Sequence, residues 1–326
     1  MGHAGISVRT PATSANLGPG FDALGLALGL YDDIEVRTRS DGRTVVTVEG
    51  EGAGVVPLDG SHLVVRAMRA AFDAAGVPMP GIDLHCTNRI PHARGLGSSS
   101  SAIVAGVGAA LGLLSGDGEA VDRDRVYRLA ADIEGHPDNV APCVYGGFTV
   151  AWAAAGGEWR ALSMDPSPRL RPVVCVPDAE LSTELARGLL PKSVAHSDAA
   201  FTAGRAALLA AAVSGHPELL LDATEDRLHE AYRAPAMPGS AALIKELRVE
   251  SRLPAVVSGA GPTVLVLACA PGEDPGGPAS IPGQAEGSAE IDGTAADSIA
   301  RRAGSGWHIR PLRIDLAGVY ISSPRS

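Results

Sequence analysis

Lysine is nearly missing from this chain. Of 27 basic residues only Lys192 and Lys245 are lysines, so none precedes position 192. That excludes a phosphate loop of the G-x-x-x-x-G-K-[ST] type from the first half, because such a loop needs its lysine on the phosphates. Cysteine is sparse too. Cys86, Cys143, Cys175 and Cys269 form no C-x-x-C pair, which excludes the usual zinc and dithiol spacings. They read as small buried residues of a reducing compartment. Positive charge is in deficit: the net charge of −10 argues against nucleic acid or an anionic membrane as main partner. A local basic pocket for a small anion stays open. The N-terminus, Met1-Gly2-His3-Ala4-Gly5-Ile6-Ser7, lacks the charged and apolar regions of a secretory leader, and the longest apolar run is broken by glycines. The expected location is the cytoplasm.

With 326 residues, 45% of them hydrophobic and 20% charged, the chain has the composition of a globular protein with room for two medium domains. Ile6–Thr10 reads as a strand, and Asp33–Arg39 with Arg43–Glu49 as a hairpin around Asp41-Gly42. Ser61 is placed to cap a helix that runs through Ala75 and stops at Gly76. Ile82–Cys86 is a strand candidate, Arg123–Glu134 a helix, and Phe148–Ala153 a strand. Dense punctuation at Asp165-Pro166-Ser167-Pro168 puts a domain boundary there, between 1–165 and 166–326. Beyond it the pattern gives strands near Pro172–Val176, Ala255–Val257, Thr263–Leu267, His308–Ile314 and Val319–Ile321. Helices fall over Asp198–Val213 and Pro238–Glu250. Residues 271–298, rich in Gly, Pro, Ala and Ser within a stretch free of Lys and Arg, read as a mobile acidic loop.

The most informative run is Pro91-His92-Ala93-Arg94-Gly95-Leu96-Gly97-Ser98-Ser99-Ser100-Ser101, which feeds an apolar helix. The first turn of a helix has unpaired N–H groups and partial positive charge, so it suits an anion. Gly95 and Gly97 let phosphate oxygens approach the backbone, and the serines add hydroxyls. Taken alone, the run is either a nucleotide cradle or a Gly/Ser turn capping a buried helix. A dinucleotide fingerprint would need glycine at position 100, which is Ser100. Glu134-Gly135-His136-Pro137-Asp138-Asn139 adds a polar cluster at the end of a helix, and Ser258-Gly259-Ala260-Gly261-Pro262-Thr263 a second glycine turn.

The pattern Pro-x-x-x-Gly-Leu-Gly-Ser-Ser resembles the signature of the GHMP kinases. The segment Thr10-Pro11-Ala12-Thr13-Ser14-Ala15-Asn16-Leu17-Gly18-Pro19-Gly20-Phe21-Asp22 resembles the first motif of the homoserine kinase branch of that family, and Ser258–Thr263 the third family motif. The resemblance spans nearly the whole chain. It implies an α/β (α+β two-layer) fold, with a ribosomal-S5-like N-terminal domain, a ferredoxin-like C-terminal domain and a site in the cleft between them. It implies transfer of phosphate from ATP, with Mg²⁺, to L-homoserine on the way to threonine, by a homodimer.

Residue by residue, the resemblance implies ATP binding by Pro91 through Ser101 and metal binding by Glu134 with Ser99 (or Ser98). It implies Asp22 for the substrate ammonium, Asn16, His136 and Gly259 as further substrate contacts, and Arg187 and Arg233 for the carboxylate. Thr183 would touch the transferred phosphoryl group, which makes Asn16, Glu134 and Thr183 the catalytic set. Relatives that use an aspartate base beside a first-motif lysine differ from this chain, which has no such lysine. In-line attack without a strong protein base is therefore expected. The alternatives are a GHMP kinase for another small alcohol or modified amino acid, and a GHMP-fold binding protein without turnover.

Overall fold

A seven-stranded and a four-stranded sheet organise the computed structural model, which describes residues 5–115, 120–270 and 293–323. The first half supplies β1 (Gly5–Ala15), β2 (Leu24–Arg39), β3 (Thr44–Gly50), α1 (Leu63–Ala74), β4 (Gly81–Asn88), α2 (Ser98–Ser115), α3 (Arg123–Glu134), α4 (Val140–Tyr145), β5 (Phe148–Ala153) and β6 (Trp159–Met164). Next come β7 (Leu170–Pro177), α5 (Thr183–Gly188), α6 (His196–Ser214), α7 (Leu220–Ala223), α8 (Glu230–Arg233) and α9 (Pro238–Val249). The chain closes with β8 (Ala255–Val257), β9 (Val264–Cys269), α10 (Gly293–Ala303), β10 (Trp307–Pro311) and β11 (Tyr320–Ser322).

The first sheet runs β11-β1-β2-β4-β3, with the β5–β6 hairpin attached to the early part of β2. The expected hairpin of Asp33–Arg39 with Arg43–Glu49 is not formed. Strand β4 lies between those two segments, antiparallel to β2 and parallel to β3, and the Ile82 N–H donates to the Arg43 carbonyl. The physical reason is burial. Ile82, Leu84 and Cys86 of β4 are all buried, whereas β3 buries only Val46 and is left at the edge. A local turn signal specifies a reversal of direction but not the partner. Nor does Ser61 cap α1. His62 takes the N-cap position, and the Ser61 hydroxyl donates to Asp59 at 2.6 Å instead.

The second sheet runs β10-β7-β9-β8. Counted in chain order along a strand–helix–strand–strand–helix–strand path, this is the 4-1-3-2 order of a ferredoxin-like layer, as expected. Helix α10 corrects the loop expected over 271–298. Residues 271–292 lie outside the described residues, but 293–298 open a helix whose Ile299 is buried in one apolar cluster with Cys175 and Leu247. The last strand, β11, returns to the first sheet and pairs with β1.

Among the described residues, three of the four apolar clusters are large and hold this arrangement. One fills the space between the first sheet and α1–α4, and another lies beneath α9 and α10. The third joins the two sheets: Leu24, Leu26 and Phe148 meet Val174, Val256 and Leu265. Each buried aliphatic side chain of this size contributes about 1.5–3 kcal/mol. Helix α2 is long and apolar enough to cross a membrane by composition alone, but here it is buried against β1, α1 and α3. Its N-terminus faces the junction of the sheets.

Candidate active site

Three separated segments are hydrogen-bonded together at that junction. Thr13 N–H donates to the Leu96 carbonyl at 3.0 Å, and the Ser258 hydroxyl to the Gly95 carbonyl at 2.7 Å. The Asn16 amide donates to the Gly259 carbonyl at 2.8 Å. Gly95 and Gly97 have φ of 77° and 70°, and a Cβ on either would run into the Ser258 carbonyl or the Thr13 hydroxyl. Only glycine allows the loop to approach its neighbours this closely. In the first segment Asn16, Leu17 and Asp22 hold the left-handed conformation at φ of 68°, 51° and 55°. Such non-glycine residues cost roughly 1 kcal/mol or more each and persist where surrounding contacts fix them.

Helix α2 starts at Ser98, so the four serines are its first turn. They divide by orientation. Ser99 and Ser100 donate to the same Glu134 oxygen at 2.7 and 2.8 Å, while Ser101 shares a 2.7 Å hydrogen bond with Thr10. Ser98 makes neither contact and lines both cavities described below. Glu134 ends α3, where Gly135 at φ 83° terminates the helix. Its carboxylate also lies 3.9 Å from His136 Nε2. His136 Nδ1 donates to Asp138 at 2.8 Å. Burial alone would lower the His136 pKa, but the hydrogen bond and charge of Asp138, with Glu134, outweigh it and push the pKa up. Ser99 and Glu134 form a hard-oxygen pair of the kind magnesium prefers. Among the described residues no cluster of three or more His, Cys, Asp or Glu could close a metal site on its own. A cation held here would draw further ligands from phosphate and water.

The cavity at this junction has a volume of about 300 Å³. On its far side, Arg187 of α5 and Asp22 form a two-pronged ion pair at 2.7 and 3.1 Å, about one-third exposed. Arg233, the last residue of α8, is 1% exposed and has no carboxylate partner among the described residues. Its Nη1 donates to the Gly259 carbonyl at 3.2 Å and to His229, while its Nε is buried without a partner. Burial and the nearby Arg187 charge lower its pKa, yet a guanidinium remains charged. Thr183, the first residue of α5, also lines the cavity. A second cavity of about 430 Å³ opens on the other face of the α2 N-terminus, and Ser98 and Ser99 line both. Its wall includes Val56, Pro57 and Leu63, with His62 buried and its Nδ1 unpartnered.

Thus Asn16, Ser99, Glu134, His136, Thr183, Arg187, Arg233 and Gly259 line one cavity, and Asp22 stands at its edge on Arg187. Several are differently engaged from the sequence expectation. Asn16 spends its amide on Gly259 and its carbonyl oxygen on the Asp22 N–H at 2.9 Å. The Gly259 N–H donates to Ala15, so its backbone groups are taken as well. Within the loop, Ala93, Gly95 and Gly97 line the first cavity and His92 the second. Pro91 and Leu96 are buried, Ser100 faces Glu134, and Arg94 turns toward Pro177 at the end of β7 and Asp178 just after it. Sequence reasoning missed Phe21, whose ring faces Arg187, Arg233 and His229, and His229 itself. A signal was available for His229, since His229 and Arg233 are i,i+4 neighbours.

Comparison with known proteins gives the family and the fold. Residues 62–147 match the family of GHMP kinases N terminal domains. The homoserine kinase of Streptomyces avermitilis is 51% identical over 318 residues, covering 98% of this chain and 96% of the relative. That of Clavibacter michiganensis is 51% identical over 317 residues, covering 97% and 93%. Among solved structures, homoserine kinase from Cytophaga hutchinsonii superposes with a TM-score of 0.80 at 25% identity, covering 98% of both chains.

Proposed function

We infer the activity from one premise: the chain belongs to the homoserine kinase family of the GHMP kinases. The reaction is transfer of the γ-phosphoryl group of ATP to the side-chain hydroxyl of L-homoserine, giving O-phospho-L-homoserine, a step toward threonine. The observation that carries this reading is the pairing of two chemistries across one cavity. The Ser99–Glu134 pair stands at the α2 N-terminus, and facing it are a buried arginine with an unpartnered Nε and the Asp22–Arg187 pair. One side suits phosphates and a divalent cation; the other suits the carboxylate and ammonium of an amino acid.

In this reading the second cavity takes the nucleoside, with His62 Nδ1 available to it, and the triphosphate crosses the first turn of α2. Ser98 and Ser99, common to both cavities, mark the crossing. Ser99 and Glu134 would hold Mg²⁺, which when bound supplies charge neutralisation of the β- and γ-phosphates. Asp22 binds the substrate ammonium, and Arg187 and Arg233 bind its carboxylate, so that the hydroxyl points at the γ-phosphate. His136, held by Asp138, and Thr183 lie where hydroxyl and phosphoryl group meet. Asn16 fixes Asp22 through the Asp22 N–H and supports the Gly259 turn.

No strong base is needed. Asp138 accepts from both His136 and the Asn139 N–H, which occupies its Oδ1. The hydroxyl attacks in line and its proton leaves to the phosphate or solvent, so positioning and charge neutralisation supply most of the rate. The same reading makes the protein a cytoplasmic homodimer of two domains, 1–165 and 166–326, without a nucleic-acid or membrane partner, in keeping with its net charge of −10. ADP release with Mg-ATP and homoserine, serine, threonine, mevalonate or galactose tests it. Homoserine should be turned over best. Best turnover of any other acceptor would overturn the substrate while leaving the kinase.

A further inference from the structure

His229 is buried behind Arg233 at the acceptor end of the cavity, and the proposed reaction does not use it. Its side chain is 0% exposed. Its Nε2 lies 2.7 Å from the Gly18 carbonyl, which can only accept, so Nε2 bears the proton. Its Nδ1 lies 3.1 Å from Arg233 Nη1, which can only donate, so Nδ1 is bare. Two obligate partners therefore fix one neutral tautomer. The ring also packs on Phe21, with centroids 5.2 Å apart and planes inclined at 30°. Phe21 and Gly18 belong to the same turn as Asp22, so His229 ties the ammonium side of the pocket to the carboxylate side.

We propose that neutral His229 is the positioning residue for Arg233: its bare Nδ1 fixes the guanidinium so that the remaining N–H groups face the substrate carboxylate. This rests on the homoserine-kinase reading and deepens it, since it names what holds the acceptor-binding arginine in place. Arg233 has few alternatives. Its other acceptor, the Gly259 carbonyl, binds the same Nη1 at a longer 3.2 Å, and among the described residues no carboxylate pairs with it. Freed from His229, the buried guanidinium could rotate about its last bonds and lose its alignment. The protonation state agrees. Burial pushes the His229 pKa down, and the Arg233 charge adds to that against the pull of Asp226, whose carboxylate lies 3.9 Å from Nε2. Asp226 is itself occupied as the acceptor for the Leu228, His229 and Glu230 N–H groups.

Two substitutions separate the two ring nitrogens. In His229→Asn the side-chain oxygen stands near the Nδ1 position and can still accept from Arg233. In His229→Gln the amide reaches the Nε2 position and keeps the Gly18 contact, but it leaves Arg233 without its acceptor. Steady-state kinetics on the full chain with Mg-ATP should give a homoserine KM raised about tenfold to a hundredfold in His229→Gln, with the ATP KM unchanged. His229→Asn should stay within a fewfold of the parent. With the amino diol in which CH2OH replaces the carboxylate, parent and His229→Gln should be alike.

A Gln variant with the parent's homoserine KM, or one equally impaired on the diol, overturns the positioning role. A parent chain that turns over neither homoserine nor the diol overturns the kinase reading instead, so the two failures are distinct. Nitrogen-15 NMR of the parent protein needs no variant to fold. The Nε2–H neutral tautomer is expected, and a doubly protonated ring at neutral pH would sink the proposal.

Discussion

The two walls of the acceptor cavity are built from different material. One wall consists of backbone, hydroxyls and a carboxylate carried by long elements. β1 leads into Asn16, α2 presents Ser98 and Ser99, and α3 ends at Glu134. The other wall consists of two arginines carried by short helices, Arg187 on the six-residue α5 and Arg233 on the four-residue α8. The first wall is rigid because three glycine-rich segments hydrogen-bond across it, and its chemistry is that of phosphate. The second delivers formal charge at the end of long stems: Arg187 is held by the two-pronged pair with Asp22, and Arg233 by His229 and the Gly259 carbonyl. The difference separates the kinetic constants. Damage to the first wall should appear in kcat, and damage to the second in the KM of the acceptor.

The largest effect expected from breaking this division is at Glu134. Its carboxylate gathers Ser99 and Ser100 and, in the proposed function, helps to hold the cation on the phosphates. Glu134→Ala should lower kcat by about a thousandfold while leaving the homoserine KM within a few-fold, read by steady-state ADP release. A raised acceptor KM with intact kcat would erase the distinction between the walls. Next in size is Arg233→Ala, which removes a cation that is 1% exposed. The homoserine KM should rise about a hundredfold, and the loss should shrink on the amino diol that lacks the carboxylate.

Asp22→Asn sharpens the comparison, because Asp22 stands between the walls. Its N–H is held by Asn16 and its carboxylate by Arg187. The pair is partly exposed, so the effect should be smaller: a homoserine KM raised about tenfold with nearly normal kcat. A collapse of kcat alone would assign Asp22 to the chemistry, and with it the turn around Asn16.

The walls also differ in how far they can be read from the sequence. The first is local. Glycines at positive φ, serines in the first turn of an apolar helix and Glu134 before a terminating Gly135 each leave a mark within a few residues. The second is not local. A single arginine at the end of a four- or six-residue helix has no periodic context, and Arg187 and Arg233 were found only through family resemblance. His229 shows both cases. Its i,i+4 relation to Arg233 is visible in the sequence, whereas its partner Gly18 lies 211 positions away. The same limit explains β3: the turn at Gly42 was legible, but the choice of β4 as neighbour depended on which strand had more to bury. It explains Asn16 as well. Its place in the cavity could be inferred, but not that both ends of its amide are occupied within the protein.

The smallest effect tests the second wall through stability rather than kinetics. Glu230 opens α8 and accepts the Val257 N–H at 2.7 Å, tying the helix that bears Arg233 to β8. Burial pushes its pKa up to about 7, from an ordinary 4.5. Below both values the carboxyl is protonated in folded and unfolded chains alike, so it contributes no pH dependence. As pH rises from 4.5 toward 7 the unfolded chain loses its proton first, while the folded chain keeps it. The unfolded state is thereby favoured, and stability declines across that window. Glu230→Gln keeps an acceptor for Val257 and removes the titration. It should gain on the order of 2 kcal/mol over the parent at pH 8 relative to pH 5, in paired denaturant melts. An equal decline in both proteins would mean that Glu230 is ionised in the fold. The α8 wall would then rest on a carboxylate beside its arginine, and Arg233 would not be the unpaired cation on which the division between the walls depends.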